Sequence, residues 1–148
     1  RTPNLPDARA SLHGASLVNF TRENFARAAI EGMLASQVVM IEATMACGVP
    51  VNRLLLIGGA AKSEAVQTAL TQIIDVPLLV PEPGEYVATG AAVQAAAALT
   101  GEFAAWTPQV HEVPAAATED VIMNQHRAAQ QALGYDVDSR AMTPDAAV

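Results

Sequence analysis

The sequence predicts an α/β fold with parallel strands, and three observations carry that expectation. Four large apolar residues, Leu54-Leu55-Leu56-Ile57, run straight into Gly58-Gly59. A continuous apolar run that ends in glycines is the mark of a buried parallel strand entering a tight turn. A helical pattern, a second apolar run (76–80) and a second helical pattern follow in order. Strand, helix, strand, helix is a βαβα unit, and its right-handed crossover makes the two strands parallel neighbours. Finally, 148 residues with 51% hydrophobic content suffice for one domain with a sizeable core, filled by Ala, Leu, Val and Ile because aromatics are only 4%.

Before this unit lies a proline-bearing extended loop over 1–9. Residues 10–18 read as a short strand or an irregular lead-in. Thr21 is placed as a helix N-cap, with Glu23 in the first turn. The helix then runs to about Cys47. Ile30, Leu34, Val38, Ile41 and Met45 form one apolar row, and Phe25, Ala29, Met33 and Met40 a second. Two rows predict burial over a wide face, with Met as core filler. Gly48 stands where a C′ glycine belongs, and Pro50 prevents continuation. Glu31, a carboxylate inside this apolar helix, reads as a paired or solvated helix-face residue; the rival reading is an acid that orients a loop near a cleft.

The central strand is expected over 53–57 and the next helix over 64–74, with Val66, Ala69, Leu70 and Ile73 facing the core. A second strand follows over 76–80, a turn at Pro81-Glu82-Pro83-Gly84, and a third helix over 85–99 that ends at Gly101. Pro77 suits a strand start or an edge. Gly90 interrupts the third helix among small residues, Ala88-Thr89-Gly90-Ala91-Ala92, although Gly costs about 1 kcal/mol there relative to Ala. Either close helix–sheet packing or a flat wall for a planar ligand would explain it. Residues 103–118 read as a loop. Thr118 then caps a helix over 119–133 that Gly134 ends, and the remainder is expected to be a frayed tail.

The turn after the first strand has the makings of a nucleotide site. Gly58 and Gly59 permit positive φ and leave no Cβ in a ligand's way. The following helix aims free N–H groups and its positive dipole end at the same place. A plain strand-to-helix turn is the rival reading. The phosphate loop G-x-x-x-x-G-K-[ST] is excluded, because Lys62 follows Ala61 and not glycine; G-x-G-x-x-G is absent.

Charge and composition bound the partners. Lys plus Arg is 8 and Asp plus Glu is 15, giving 8 − 15 = −7, with no basic patch. That argues against nucleic acid and anionic membranes. Continuous apolar runs are too short to span a bilayer. Cys47 is the sole cysteine, so no internal disulfide or cysteine metal cluster forms, and a reducing cytoplasm fits. His13, His111 and His126 lack companions at metal-ligand spacing and read as surface or loop residues; no metal site is expected. The chain opens on Arg1 without Met, which predicts a piece of a longer protein.

Four stretches together resemble a known family. They are Arg1-Thr2-Pro3-Asn4 with its proline loop, Arg27-Ala28-Ala29-Ile30-Glu31-Gly32, Leu55 to Ser63 through the glycine turn, and Glu85-Tyr86-Val87-Ala88-Thr89-Gly90-Ala91-Ala92. In this order and spacing, over 1–101, they resemble the C-terminal domain of the FGGY carbohydrate kinases. The resemblance implies an actin-like ATPase (ribonuclease H-like) fold, here a partial domain with a long helix, a βαβα unit and a C-terminal helix. It makes 1–101 part of the ATP-binding domain and 102–148 a loop and helix of the same domain. It implies ATP and Mg2+ as cofactors, with the N-terminal domain of the same kinase and a sugar as partners. By similarity, Gly58, Gly59 and Ala60 form the loop against the nucleotide, Ser63 reaches the adenine, and Gly90 with its small neighbours is the facing wall. Ala60 departs from the family, which usually has a third glycine there. No catalytic residue carries over: the family's base aspartate and its Asp-Gly-Thr phosphate loop belong upstream. The chain alone is therefore expected to be inactive, with an open sheet edge that favours self-association, a homodimer included. The alternatives are a gluconate, ribulose or glycerol kinase of the same family, or a non-catalytic actin-like interaction module.

Overall fold

The computed structural model describes residues 9–104 and 107–134. The expected loop over 1–8 and the expected tail beyond Gly134 lie outside them.

The first helix, α1 (Arg22–Ala46), starts and stops where its chemistry dictates. Thr21 is extended and its hydroxyl accepts the Asn24 N–H at 3.2 Å, satisfying one of the free donors of the first turn. Gly48 follows the helix at φ +80° and its N–H closes on the Met45 carbonyl. Only one of the two expected rows is covered. Leu34, Ala35 and Val38 are buried against the second and fourth helices, α2 (Glu64–Ile73) and α4 (Asp120–Ala132). Phe25, Met33, Met40 and Met45 are exposed, so the wide-face expectation and the filler role of these methionines fail. Periodicity marks a face as apolar, but burial needs a partner, and the described residues supply one for a single stripe. Residues 10–18 form an irregular lead-in with no strand.

α1 also corrects the membrane estimate. Its 25 residues, with an 18-residue window of mean hydropathy 1.2, are long and apolar enough to cross a bilayer on length and composition. Continuous runs miss this because Glu31, Gly32, Ser36, Gln37 and Glu42 interrupt the apolar residues along the helix. In the fold, one stripe of α1 (Leu34, Ala35 and Val38) packs into the core, and an exposed ion pair, Arg127 of α4 with Glu42, ties the helix to α4.

The sheet has three strands in the order β1-β2-β3: β1 (Leu54–Leu55), β2 (Leu78–Pro81) and β3 (Val110–Glu112). β1 and β2 are parallel, pairing Leu54 with Leu78 and Leu55 with Leu79, as the βαβ reading expects. β1 is shorter than predicted, though the Leu56 N–H still reaches the Leu79 carbonyl at 2.9 Å. It is also less buried. Leu55 and Ile57 are exposed because β1 is an edge strand and no element covers its outer face among the described residues. β3 corrects the reading of 103–118 as a loop. It pairs antiparallel with β2, placing His111 opposite Val80, and the Val113 N–H extends the ladder to the Leu78 carbonyl at 2.9 Å.

α2 buries Val66, Ala69, Leu70 and Ile73, all four of the residues expected. Together with Leu78, Val80, Val113, Ile122 and Met123 they complete one core between the sheet and the helices α1, α2 and α4. α3 (Tyr86–Thr100) ends at Gly101 in the left-handed region and buries only Ala97. α4 has Glu119, not Thr118, at its N-cap position. The Glu119 N–H is held by the Gln72 carbonyl at 2.7 Å, so α2 fixes the entry into α4 and Thr118 is not needed there.

Candidate functional site

The site forms at the carboxyl ends of the two parallel strands, where open α/β sheets leave a crevice. β1 delivers the chain to Gly58, which sits at φ +94° and ψ −175°, a conformation that side chains resist. Gly59 does not have positive φ, so of the two glycines that permit it only Gly58 uses it. From Gly59 the backbone tightens into a 3₁₀ turn, Gly59–Lys62, before α2 begins. That turn was not foreseen. Its closing bonds run from the Ala61 N–H to the Gly58 carbonyl at 3.2 Å and from the Ser63 N–H to the Ala60 carbonyl at 3.1 Å. Gln67, in the first turns of α2, donates its Nε2 hydrogen to the Ala61 carbonyl at 2.7 Å.

Gly58 and Gly59 border a cleft of 840 Å³, large enough for a small-molecule ligand. An added Cβ at either glycine would meet no atom within 4 Å, so the space above this backbone is open. Lys62, Glu64 and Gln67 line the α2 side. Glu82, Gly84, Glu85 and Tyr86 line the opposite side, on the turn from β2 into α3, where the Tyr86 hydroxyl donates to the Glu82 carbonyl. His111 closes the cleft on the β3 side. The charged side chains are mixed: three carboxylates, Glu64, Glu82 and Glu85, and one ammonium, Lys62. All four are exposed, and none forms an ion pair among the described residues.

The five residues singled out from sequence are only partly brought together. Gly58 and Gly59 line the cleft. Ala60 and Ser63 lie in the same turn without lining it; Ser63 occupies the N-cap position of α2 but forms no side-chain capping bond. Gly90 lies on the exposed surface of α3, four residues past Tyr86 and outside the lining. A Cβ there would meet nothing within 4 Å, so close helix–sheet packing does not account for it among the described residues. Gln67, Glu82, Tyr86 and His111 were missed. Gln67 is one of five polar or charged residues in α2 and carries no distinguishing signal, and the other three come from segments with no shared spacing.

Glu31 lies away from the cleft. It accepts from Arg27 Nε, while Arg27 Nη2 reaches Gln72 Oε1 at 3.3 Å and Gln72 Nε2 reaches Glu119 Oε1 at 3.2 Å. This chain of bonds links α1, α2 and the start of α4, and it bears out the paired helix-face reading of Glu31. Among the described residues, no three His, Cys, Asp or Glu side chains gather where they could hold a metal ion.

Comparison with known proteins places the chain. Residues 1–99 match the C-terminal domain of the FGGY family of carbohydrate kinases. The xylulose kinase of Streptomyces coelicolor is 41% identical over 106 residues, which is 71% of this chain and 22% of that protein. The xylulose kinase of Streptomyces rubiginosus is 38% identical over 103 residues, 69% of this chain and 21% of that protein. The crystal structure of xylulose kinase from Bifidobacterium adolescentis superposes with a TM-score of 0.70 at 40% identity, covering 84% of this chain and 25% of that one. The chain thus spans about a fifth of the length of the curated relatives it matches. On this match over most of its length, and with the mixed α/β architecture described above, the chain belongs to the FGGY family of carbohydrate kinases, as part of its C-terminal domain.

Proposed function

We propose that this chain is the nucleotide-binding part of an ATP-dependent sugar kinase that converts D-xylulose to D-xylulose 5-phosphate. The observation that carries the reading is the Gly58-Gly59 turn, open above its backbone and bordering the cleft at the ends of two parallel strands. The names of the relatives support xylulose as the acceptor.

In this reading ATP lies against Gly58 and Gly59, whose missing side chains let it approach the backbone. Ala60 and Ser63 belong to the same loop and set its path into α2, and Gly90 is the outer part of the facing wall. When bound, ATP supplies the phosphoryl group, and Mg2+ comes with its phosphates rather than from a cage in this chain. Lys62 offers a compensating charge, while Glu64, Glu82 and Glu85 offer acceptors to neutral hydroxyl or amino groups. The proton of the sugar hydroxyl goes to a base that this chain does not provide, so catalysis here is positioning and charge neutralisation.

The domain reading extends the ATP-binding domain from 1–101 through 102–148. Val113, Ile122 and Met123 support it, since they share one core with α1 and α2. The N-terminal domain of the same kinase is the proposed partner across the cleft, and the cytoplasm the proposed compartment. The open edges of β1 and β3 are where a homodimer contact would form. A phosphoryl-transfer assay tests the function. The intact protein that carries this chain is given Mg-ATP and, in turn, D-xylulose, ribulose, gluconate and glycerol. Preferred turnover of D-xylulose is expected, and the 148-residue chain alone should be inactive. Preference for another acceptor would reassign the substrate, and absence of any turnover by the intact protein would favour a non-catalytic actin-like module.

A further inference from the structure

His111 is the cleft residue that the family match says nothing about, since that match ends at residue 99. It reaches the cleft through β3, which exists because β2 offers a free edge. Opposed residues of an antiparallel pair point to the same face. His111 therefore shares its face with Val80, its partner across the pair, and with Val113, two residues on. Val80 and Val113 are buried in the core, whereas His111 stands beyond its rim, exposed and lining the cleft. No side-chain hydrogen bond engages its imidazole among the described residues, so one donor and one acceptor are free.

Position decides which part of a ligand it meets. The glycine turn leaves β1 and His111 stands on β3, two strand spacings away across β2, about 10 Å. A ligand lying against Gly58 and Gly59 must extend across the cleft to touch His111. The surroundings of His111 are acidic: the Glu82 N–H bonds the Gln109 carbonyl at 3.0 Å, which draws Glu82 beside β3, and Glu85 follows on the same wall. Lys62 stands on the other side, in the turn after Gly58. Two unpaired carboxylates repel phosphate groups and accept from hydroxyls or amino groups. The nucleoside end suits this side of the cleft, and the phosphates do not.

We propose that His111 is a nucleoside-contacting residue that helps select the nucleotide of this kinase, hydrogen-bonding a polar group of the ribose or base from the β3 side of the cleft. The proposal rests on the nucleotide reading of the cleft. It is tested in the intact protein by titrating adenosine and Mg-ATP into the unaltered form, His111→Ala and Gly59→Val, with thermal melts of each. Loss of one such hydrogen bond weakens both ligands by about three- to tenfold in His111→Ala. The melting temperature should hold, because the side chain is exposed and the ladder is made by the backbone. His111→Gln, which keeps a donor and an acceptor, should recover part of the loss. A loss for Mg-ATP with adenosine unaffected would move His111 to the phosphates and overturn the assignment. Unchanged affinities in His111→Ala, with nucleotide binding impaired in Gly59→Val, would overturn the role of His111 and leave the nucleotide reading standing. If neither variant alters binding, both fall.

Discussion

Gln67 and Ala61 are joined by a 2.7 Å hydrogen bond, from the side-chain amide of one to the main-chain carbonyl of the other. The 3₁₀ turn that follows Gly58 is thereby clamped onto α2 from outside its own backbone. The residues on either side of the clamp line the cleft, so the shape of the ligand-facing loop depends on a helix side chain.

Gln67→Leu should therefore loosen the turn more than it loosens the fold. One lost hydrogen bond costs about 1 kcal/mol of stability. Nucleotide affinity should fall about three- to tenfold as the glycine backbone samples other positions. Urea unfolding and Mg-ATP titration of the same variant check the two effects separately. An unaltered affinity would mean that the turn keeps its shape by its own backbone bonds.

His126 should make the fold sensitive to acid. Its Nε2 is buried with no partner among the described residues. Burial first, and the neighbouring Arg127 guanidinium second, hold its pKa below the ordinary 6.5. The unfolded chain therefore binds more protons than the folded one between 6.5 and the lowered value. Stability must fall as pH drops through that window and level off beneath it. His126→Asn removes the titration, so the drop in urea midpoint between pH 7.5 and pH 5 should shrink in the variant. An identical drop would assign the acid sensitivity to other groups.

How much was legible in the sequence depended on whether a feature is local. The caps of α1 were: Thr21 and Gly48 act within four residues of themselves. So was the buried face of α2, whose four apolar positions recur at helical spacing. β3 was not, because Val110-His111-Glu112 between Pro108 and Pro114 has too few residues for a period, and only the free edge of β2 makes it a strand. The second row of α1 failed for the opposite reason: Phe25, Met33 and Met40 carry the right period but find no covering element. The site divides in the same way. Gly58 and Gly59 announce themselves by following a strand, whereas Glu82, Tyr86 and His111 come together only when the sheet is assembled.

Gly90 separates a wall from a packing contact. Because a Cβ there meets nothing within 4 Å, Gly90→Leu should not destabilise the protein by overpacking. Replacing a mid-helix glycine with a good helix former should instead raise stability by up to about 1 kcal/mol. If the outer wall of the nucleotide site includes Gly90, Mg-ATP affinity falls in a protein that melts no lower than the original. A variant with full ATP affinity would confine the site to the residues that line the cleft.

The most direct measurement of the central claim is nucleotide affinity in Gly59→Val. The position suits the purpose: its φ is not positive and no atom lies within 4 Å of an added Cβ, so the substitution fills ligand space without forcing the backbone as it would at Gly58. Isothermal titration of the intact protein with Mg-ATP and with D-xylulose should find ATP binding weakened at least about tenfold, roughly 1.4 kcal/mol, and sugar affinity unchanged. An ATP affinity equal to that of the unaltered protein would contradict the placement of the nucleotide on this turn.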